Sequence, residues 1–414
     1  MPEVTEINEK VPWRIQAGVY GAAAFSNTMP NMGWVVVPIW LLLQGVPDWL
    51  IGITIGCRHI GPMLLAIHGG AVIDRLGARR VMIFLASVGA AAPLLYPVTP
   101  FIWAIIVLQL ITGLVDALGW VGAQTLVSRI MKGDATYTGR MSFCTRLGLL
   151  IGPAISGVAW DHLGPWGGFG LIGLWSTGIL FSLLLLPSDV DDQSNSQTKK
   201  PSRKISFSIF IPRLSDYIIA FKLFAISAIF FVMTMSLLRH LGGGIQASFY
   251  GVHLKDIGIS ATTIGLLISI NGAFGLVGSL SAAPMQRCFR DHWLLLLLVT
   301  GSIVFVAITP LLRDQVTLLM VASGMRGWAM AGSLVLLISM IARYAESEMH
   351  GKAMGLRVTL NQMTWFVVPV VMGFVAEMFG REHSFYIIGV VAVALVALLG
   401  FWTFRCQIFD RKTL

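Results

Sequence analysis

Apolar residues recur along the chain in blocks of about twenty, each followed by a short polar segment. Blocks of this length match a helix that crosses the roughly 30 Å hydrocarbon core of a bilayer. The pattern therefore predicts an all-α membrane protein with twelve transmembrane helices. The predicted spans are residues 15–43, 49–70, 81–98, 101–127, 141–160, 165–187, 218–251, 261–284, 292–310, 315–341, 353–378 and 384–404.

The longest polar segment lies between spans six and seven, at residues 188–216, and is rich in Ser, Asp, Gln and Lys. It predicts two six-helix bundles, residues 1–187 and 217–414, joined by a cytoplasmic loop. Spans five and eleven share three features that indicate an internal repeat: Gly139-Arg140 and Gly351-Lys352, then Arg146 and Arg357, then Pro153 and Pro369. Two repeated bundles that enclose a midplane site are a common plan of transporters.

Lys and Arg residues predict the orientation, because they accumulate in cytoplasmic loops. With both termini cytoplasmic, 20 of the 29 Lys and Arg residues fall on that side. The opposite side holds three, at Lys255, Arg313 and Arg381. The net charge of +9 is thereby explained as a topology signal, and nucleic-acid binding is not indicated.

The composition excludes an ordinary soluble enzyme, because 56% of the residues are hydrophobic and only 12% are charged, against roughly a quarter in soluble domains. The chain contains no GxxxxGK[ST], GxSxG or HExxH motif, so no enzyme activity is predicted. Its four cysteines form no CxxC pair, and neither a metal site nor a cofactor is predicted.

The turn after span two reads GAVIDRLGARR at residues 70–80. It resembles the G-x-x-x-D-R-x-G-x-R-R signature of the major facilitator superfamily and stands at the expected position. The resemblance implies a cytoplasmic gate formed by Gly70, Asp74, Arg75, Gly77, Arg79 and Arg80. The alternative is a charged loop that only enforces topology. The equivalent segment after span eight carries Ala282 in place of the acid, so the predicted gate is asymmetric.

Span five contains Gly148, Gly152, Pro153 and Gly157. Their spacing resembles the G-x-x-x-G-P-x-x-G-G motif of the family's proton-coupled antiporters, with Ser156 replacing one glycine. The resemblance implies a helix bend that controls leak during export; the alternative is a small-residue face for close helix packing. One departure weakens the antiporter assignment: residues 109–113 read QLITG where such antiporters carry R-x-x-Q-G.

The resemblance implies the fold and activity of a major facilitator superfamily transporter, similar to the drug-efflux branch. The expected function is proton-coupled efflux of a small anionic or amphipathic organic compound by alternating access. The expected partners are the solute, protons and the lipid bilayer, with the protein monomeric in a bacterial inner membrane. Uptake of an organic anion with protons, and a membrane sensor without flux, are the alternatives.

Charged side chains inside a membrane are costly and are therefore functional candidates. Asp116 is the only carboxylate deep in a predicted span, and the family lines its cavity with helices one, four, seven and ten. Asp116 is the candidate protonation site, or else forms a static ion pair with Arg58 or Arg146. Arg58 could instead hold a substrate carboxylate or phosphate. His59 could relay protons or could simply be hydrogen-bonded.

In span seven, Arg239 and His240 precede three consecutive glycines, residues 242–244, which predict a helix break. A charged pair beside a break that lines a cavity is a candidate ligand site. The alternative is that the span ends near Leu238 and the pair is interfacial.

Arg326 in span ten has small neighbours and is a candidate substrate or coupling residue. Asn27 and Asn31, one turn apart in span one, are candidate neutral contacts of the cavity. Across all spans, six cations and one deep anion predict a positive cavity, suited to an anionic or zwitterionic solute.

Overall fold

The structure is a computed structural model that describes residues 11–64, 73, 76–131, 134–187, 226–344 and 350–409. Helices account for nearly all of these residues, and the described ranges contain no strand. The helices are numbered α1 to α12 in chain order, and each corresponds to one predicted span. The central loop and the predicted gate residues Gly70, Asp74 and Arg75 lie outside the described residues.

The N-terminal half contains α1 to α6. Their bounds are Trp13–Leu43 for α1, Asp48–Cys57 for α2, Ala78–Leu95 for α3, Ile102–Ile130 for α4, and the single stretch Ala135–Leu184 for α5 and α6. Gly164 divides that stretch, because its φ of +63° is incompatible with an α-helix and available chiefly to glycine. At the start of α5, the Asp134 carboxylate accepts hydrogen bonds from the backbone N–H groups of Thr136 and Tyr137, which lower the pKa of this carboxyl group.

The C-terminal half contains α7 to α12. Their bounds are Ser227–Asp256 for α7, Ala261–Cys288 for α8, Asp291–Ala307 for α9, Val316–Tyr344 for α10, His350–Phe379 for α11 and Arg381–Arg405 for α12. Eight helices in the described part of the chain are long and apolar enough to cross a membrane. The stretch Thr136–Leu184 is one of these eight and contains both α5 and α6. The prediction of an all-α membrane protein with two six-helix bundles is confirmed.

The second span is interrupted at Arg58 and His59. Pro62 explains the interruption, because it lacks the N–H group that would bond to the Arg58 carbonyl four residues earlier. The helix resumes at residue 60. Gly113 of α4 packs against this carbonyl, where any β-carbon would overlap the oxygen. The proline and the glycine together fix the backbone beside two of the predicted site residues.

The predicted break at residues 242–244 is wrong, because all three glycines are helical and α7 continues to Asp256. The alternative end near Leu238 is wrong for the same reason. Close packing offsets the low helix propensity of these glycines: a β-carbon at position 243 would press on Trp365, and one at position 244 on Val368. The irregularity lies directly after them, where Gln246–Tyr250 forms a π-helical turn.

Two pairs of helices join the halves. On the α5–α8 seam, Gly157 faces the carbonyl of Ala261, and Gly265 faces the carbonyl of Pro153. On the α2–α11 seam, Gly52 meets the carbonyl of Pro369. Each glycine lets two backbones approach within a distance that a side chain would prevent.

The α5–α8 seam gives a stability prediction. Gly157→Ala should lower stability by about 1–3 kcal/mol and the melting temperature by several degrees, because the new methyl group overlaps the Ala261 backbone. Gly170→Ala is the matched control, since its β-carbon would meet nothing within 4 Å. Thermal unfolding in detergent measures both. Equal melting temperatures for the two variants would contradict the packing described here.

Candidate functional site

A cavity of about 180 Å³ lies between the two halves. Its walls come from α1, α5, α7, α8, α10 and α11, and the described lining contains no carboxylate. The polar and aromatic lining residues are Asn31, Trp34, Arg146, Arg239, Gln246, Asn271 and Trp365. A site with guanidinium groups, amides and indole rings can hold an acidic group together with an apolar or aromatic portion.

Arg239 is fixed in the cavity wall by α10. Its Nε donates hydrogen bonds to the carbonyl of Met330, at 2.9 Å, and to the hydroxyl of Ser333, at 3.1 Å. Its Nη1 lies 3.3 Å from Nε2 of His240. Because arginine can only donate, this His240 nitrogen is the acceptor, and the other ring nitrogen, Nδ1, donates to the Ser236 carbonyl at 2.8 Å. Both residues of the predicted pair are thus buried inside the protein and are not interfacial.

Arg146 reaches the cavity from α5 and makes no hydrogen bond or ion pair with any described residue. Arg357, its counterpart in the internal repeat, is half-buried near the start of α11. The Nε of Arg357 is buried without a hydrogen-bond partner. Arg146 and Arg239 therefore reach the cavity from opposite halves, whereas Arg357 is not part of the described lining.

Trp365 of α11 links the halves. Its ring stacks on Trp34 at a centroid distance of 5.4 Å and on His59, also at 5.4 Å. His240 contacts the same ring edge-on at 5.9 Å. Nδ1 of His59 lies 3.1 Å from Oε1 of Gln362, which requires that nitrogen to carry the proton. His59 is thus a hydrogen-bonded residue of the interface between the halves, and a role in proton relay stays a prediction.

Asp116 lies inside the N-terminal half and forms an ion pair with Arg58. Both side chains are about nine-tenths buried. Nη1 of Arg58 also donates to Oε1 of Gln109 at 3.2 Å and to the Thr112 hydroxyl at 3.4 Å. The hydroxyl of Tyr96 donates to the same Gln109 oxygen at 3.2 Å. Every charge in this cluster is compensated within one half.

Two expectations about this pair are corrected. Asp116 was expected to face the central cavity, but α4 supplies no residue to the described lining. The carboxylate instead borders two spaces of about 10 and 20 Å³ inside the N-terminal half. The alternative partner Arg146 is also wrong, because that side chain lines the central cavity.

Arg326 is almost completely buried, at 1% exposure, and does not itself line the cavity. Its guanidinium lies 5.1 Å from the centre of the Tyr250 ring, and its Nη2 is 3.5 Å from the Ser323 hydroxyl. Nε has no partner among the described residues. The next residue, Gly327, lines the cavity. The Arg326 guanidinium therefore lies directly behind the residues that line the cavity.

The remaining polar lining comes from α1, α7 and α8. Asn31 lines the cavity, and its amide donates to the Asn27 carbonyl at 3.3 Å, whereas the Asn27 side chain is not part of the described lining. Gln246 and Asn271 also line the cavity and were not among the residues predicted from the sequence. An amide in the middle of an apolar block is the signal that could have found them.

The small residues of α5 pack as the sequence suggested. Gly148 and Gly152 face Thr28 of α1, while Gly157 faces α8. The Ser156 hydroxyl, at the position of the missing glycine, donates to the Pro153 carbonyl at 3.0 Å. Close helix approach is therefore present, and control of bending and leak stays a prediction.

Part of the predicted gate is described. Gly77 begins α3 with a φ of +94°, which favours glycine. Nε of Arg79 donates to the Leu183 carbonyl at 3.1 Å. Arg80 lies in the first turn of α3. These contacts attach the start of α3 to α6, and the gating role of the motif stays a prediction.

The two halves are tied together at the end of the bundle that carries Asp48, called here the closed end. The Asp48 carboxylate pairs with Arg381 at 2.9 Å, and its backbone N–H donates to Glu377. Arg381 also pairs with Asp256 at 2.9 Å. On the other seam, the Asp161 carboxylate accepts hydrogen bonds from the first N–H groups of α8. Ion pairs on the α2–α11 side and hydrogen bonds to Asp161 on the α5–α8 side thus close both seams at one end.

The family model of the Major Facilitator Superfamily matches residues 19–252 and 232–413. The chain belongs to the major facilitator superfamily.

Among curated relatives of this superfamily member, the class C tetracycline resistance protein of Escherichia coli is 23% identical, covering 77% of this chain and 78% of that protein. The quinolone resistance protein NorA of Staphylococcus aureus strain COL is 22% identical over 88% of this chain and 90% of its own. The solved structure of the nucleoside transporter NupG superposes with a TM-score of 0.78 at 15% identity, covering 96% and 100% of the two chains. These likenesses establish a multi-pass membrane transporter fold.

The buried ion pair gives the second prediction. Asp116→Ala should lower stability by about 3–5 kcal/mol, because it leaves the Arg58 guanidinium buried without a counter-charge. The double variant Arg58→Met, Asp116→Leu should recover most of the loss, since it removes both charges. Thermal unfolding of the purified single and double variants measures this. A double variant as unstable as Asp116→Ala would contradict it.

The closed end gives the third prediction. Arg381→Gln should shift the closed-to-open ratio at this end by about 1.5 kcal/mol, or roughly tenfold, because it removes the ion pair with Asp48 across the halves. Opening of the closed end is measured by double electron–electron resonance, as the distance between spin labels at positions 44 and 257 in a cysteine-free background. Arg313→Gln is the control, since its ion pairs stay within the C-terminal half. Identical distance distributions in both variants would show that the ion pair between Arg381 and Asp48 does not hold the closed end shut.

Proposed function

We propose that the protein exports a small anionic or amphipathic organic compound in exchange for protons. The observation that carries the proposal is the cavity between the halves, which is lined by Arg146 and Arg239 with no carboxylate among the described lining residues. Guanidinium groups favour an acidic solute, and the stacked rings of Trp34 and Trp365 favour an apolar or aromatic portion. The two resistance proteins among its relatives are named for resistance to organic compounds, which supports export as the direction.

In this proposal the two bundles, residues 1–187 and 217–414, move as rigid bodies about the cavity and open it to each side of the membrane in turn. Residues 188–216 connect the bundles on the cytoplasmic side. The protein acts as a monomer in a bacterial inner membrane, with both termini cytoplasmic. The closed end is then the external face. The loop motif that includes Asp74 closes the opposite face in the alternate state, and the glycines of α5 allow the bend.

Proton coupling is assigned to Asp116. Protonation of its carboxylate would release Arg58, and the adjacent His59 stacks on Trp365 in the cavity wall. Protonation of Asp116 in the N-terminal half would therefore affect the solute site through the consecutive residues Arg58 and His59. Arg326, His240 and the polar residues of α1 contribute to the solute site as positioning residues or direct contacts.

Solute-induced proton movement in oriented proteoliposomes tests the proposal, with anionic, zwitterionic and cationic panels. Protons should move opposite to an anionic solute. Asp116→Asn should abolish proton movement but retain solute exchange at equal concentrations, because asparagine cannot bind or release the proton and position 116 does not line the cavity. Arg146→Gln should reduce both, and the exposed Arg313→Gln should reduce neither.

Other outcomes assign another function. Protons and solute moving in the same direction would indicate uptake by symport. Specific binding of a solute without flux of any panel member would indicate a membrane sensor. Export of cations alone would refute the charge argument for the solute.

A further inference from the structure

A polar pocket of about 620 Å³ lies in the C-terminal half, away from the cavity between the halves. Its described lining comes from the end of α8, the start of α9, the end of α10 and Phe409, which follows α12. Because α8 and α12 begin at the closed end, the pocket at their other ends lies on the opposite side of the bundle.

Basic side chains dominate the described lining of this pocket. Arg287, Arg290 and Arg343 stand there with one carboxylate, that of Asp291. Arg343 pairs with this carboxylate at 2.7 Å, and Nε2 of Gln286 donates to it at 3.1 Å. The described lining therefore keeps an excess of positive charge after its ion pair is formed. Guanidinium groups of this kind bind phosphate oxygens through charge-assisted hydrogen bonds.

An apolar groove of about 580 Å³ runs between α9 and α12. Its lining residues fall within residues 293–300 of α9 and 393–404 of α12. Leu297 is 62% exposed and Phe401 is 66% exposed, so this face is open to the surroundings of the protein. The small side chain of Ala397 leaves space between these larger ones. In a membrane such a face meets the hydrocarbon chains of lipids.

The pocket and the groove adjoin each other on two helices. On α9, Asp291 and His292 line the pocket, and the next residue, Trp293, lines the groove. On α12, Phe404 lines the groove, and Phe409 beyond the helix end lines the pocket and stacks on His292 at 4.8 Å. An amphipathic molecule can therefore occupy both, with its polar group in the pocket and an apolar chain in the groove.

The length of the groove matches one leaflet of a bilayer. From Val393 to Phe404, α12 rises about 16 Å at 1.5 Å per residue. Half of a hydrocarbon core of roughly 30 Å is about 15 Å. Trp293, where the groove meets the pocket, is a residue type enriched at the boundary between membrane and water. The groove thus extends about as far as an acyl chain of one leaflet.

We propose that the pocket and the groove together bind one anionic phospholipid, with its phosphate beside the arginines and one acyl chain between α9 and α12. Basic pockets at a membrane surface recognise anionic headgroups in this way. The site is separate from the cavity between the halves, so the proposal is independent of the solute and of the direction of transport.

Native mass spectrometry of the protein released from detergent micelles tests the proposal. The probes are dioleoyl phosphatidylglycerol and dioleoyl phosphatidylcholine, which share their acyl chains and differ in headgroup charge. The first phosphatidylglycerol should bind at least about fivefold tighter than phosphatidylcholine, because its net negative charge meets the excess arginines. Inorganic phosphate at the same concentration should not displace the lipid, since it lacks the acyl chain.

One pair of variants tests the headgroup pocket. Arg287→Gln should weaken phosphatidylglycerol binding about fivefold and leave phosphatidylcholine binding unchanged, because it removes one positive charge from the pocket. Arg405→Gln is the matched control. This residue is exposed at the same end of the bundle but is not part of the described lining, so its replacement should change neither affinity.

A second pair tests the groove. Ala397→Trp should weaken binding of both lipids, because the indole ring fills the space of the acyl chain. Ala394→Trp, exposed on the same helix but outside the described lining, should weaken neither. All four replaced residues are exposed, so the melting temperatures without added lipid should equal that of the unaltered protein.

Four results would overturn the proposal. They are equal affinity for the two lipids, the same effect of Arg287→Gln and Arg405→Gln, the same lipid binding by Ala397→Trp and Ala394→Trp, and displacement of the lipid by an equal concentration of inorganic phosphate. The last result would indicate an anion pocket that has no need of the groove.

Discussion

A charge placed inside a bilayer needs a counter-charge nearby, and the two halves of this protein meet that constraint differently. In the N-terminal half, Arg58 and Asp116 neutralise each other, and Gln109 and Thr112 accept hydrogen bonds from the second terminal nitrogen of the guanidinium. In the C-terminal half, the buried arginines Arg239 and Arg326 contact only neutral groups among the described residues. The Arg58–Asp116 pair is therefore neutral as a unit, whereas Arg146, Arg239 and Arg326 have no counter-charge among the described residues.

Backbone proximity determines where the halves can meet. At Gly157 and Gly265 the helices of one seam touch backbone to backbone, and Gly52 does the same on the other seam. Contacts of this kind depend on shape and carry no charge, so they permit sliding and separation. The ion pair of Asp48 and the hydrogen bonds of Asp161 lie at one end of these seams. Each seam therefore has uncharged backbone contacts along its helices and polar contacts at one end of them.

Much of the architecture could be predicted from the sequence, because twelve apolar blocks and the loop motif after span two each carry a strong physical signal. The rotation of each helix about its own axis could not. Gln109, Thr112 and Asp116 share one face of α4 by their spacing, but spacing alone does not show whether that face meets the central cavity or the interior of its own half. Residues 242–244 illustrate a second limit, since tight packing against Trp365 overrides their low propensity.

The position of Arg58 shows how a departure from a motif can be compensated in space. The sequence carries Gln109 where related antiporters carry an arginine, which weakened the antiporter assignment. In the structure a guanidinium does stand beside position 109, but it comes from the second span and is delivered by the break before Pro62. A pattern confined to one helix could not reveal a group supplied by another.

The π-helical turn at Gln246–Tyr250 has a consequence for the register of α7. A π turn closes its hydrogen bonds one residue later than an α turn, so it accommodates one additional residue. Each residue of an α-helix turns the next side chain by about 100°. The turn thus acts as a phase shift: side chains after it point about 100° away from the direction that an uninterrupted α-helix would give them. An ancestral helix of regular pitch could acquire or lose this arrangement through a single-codon insertion or deletion.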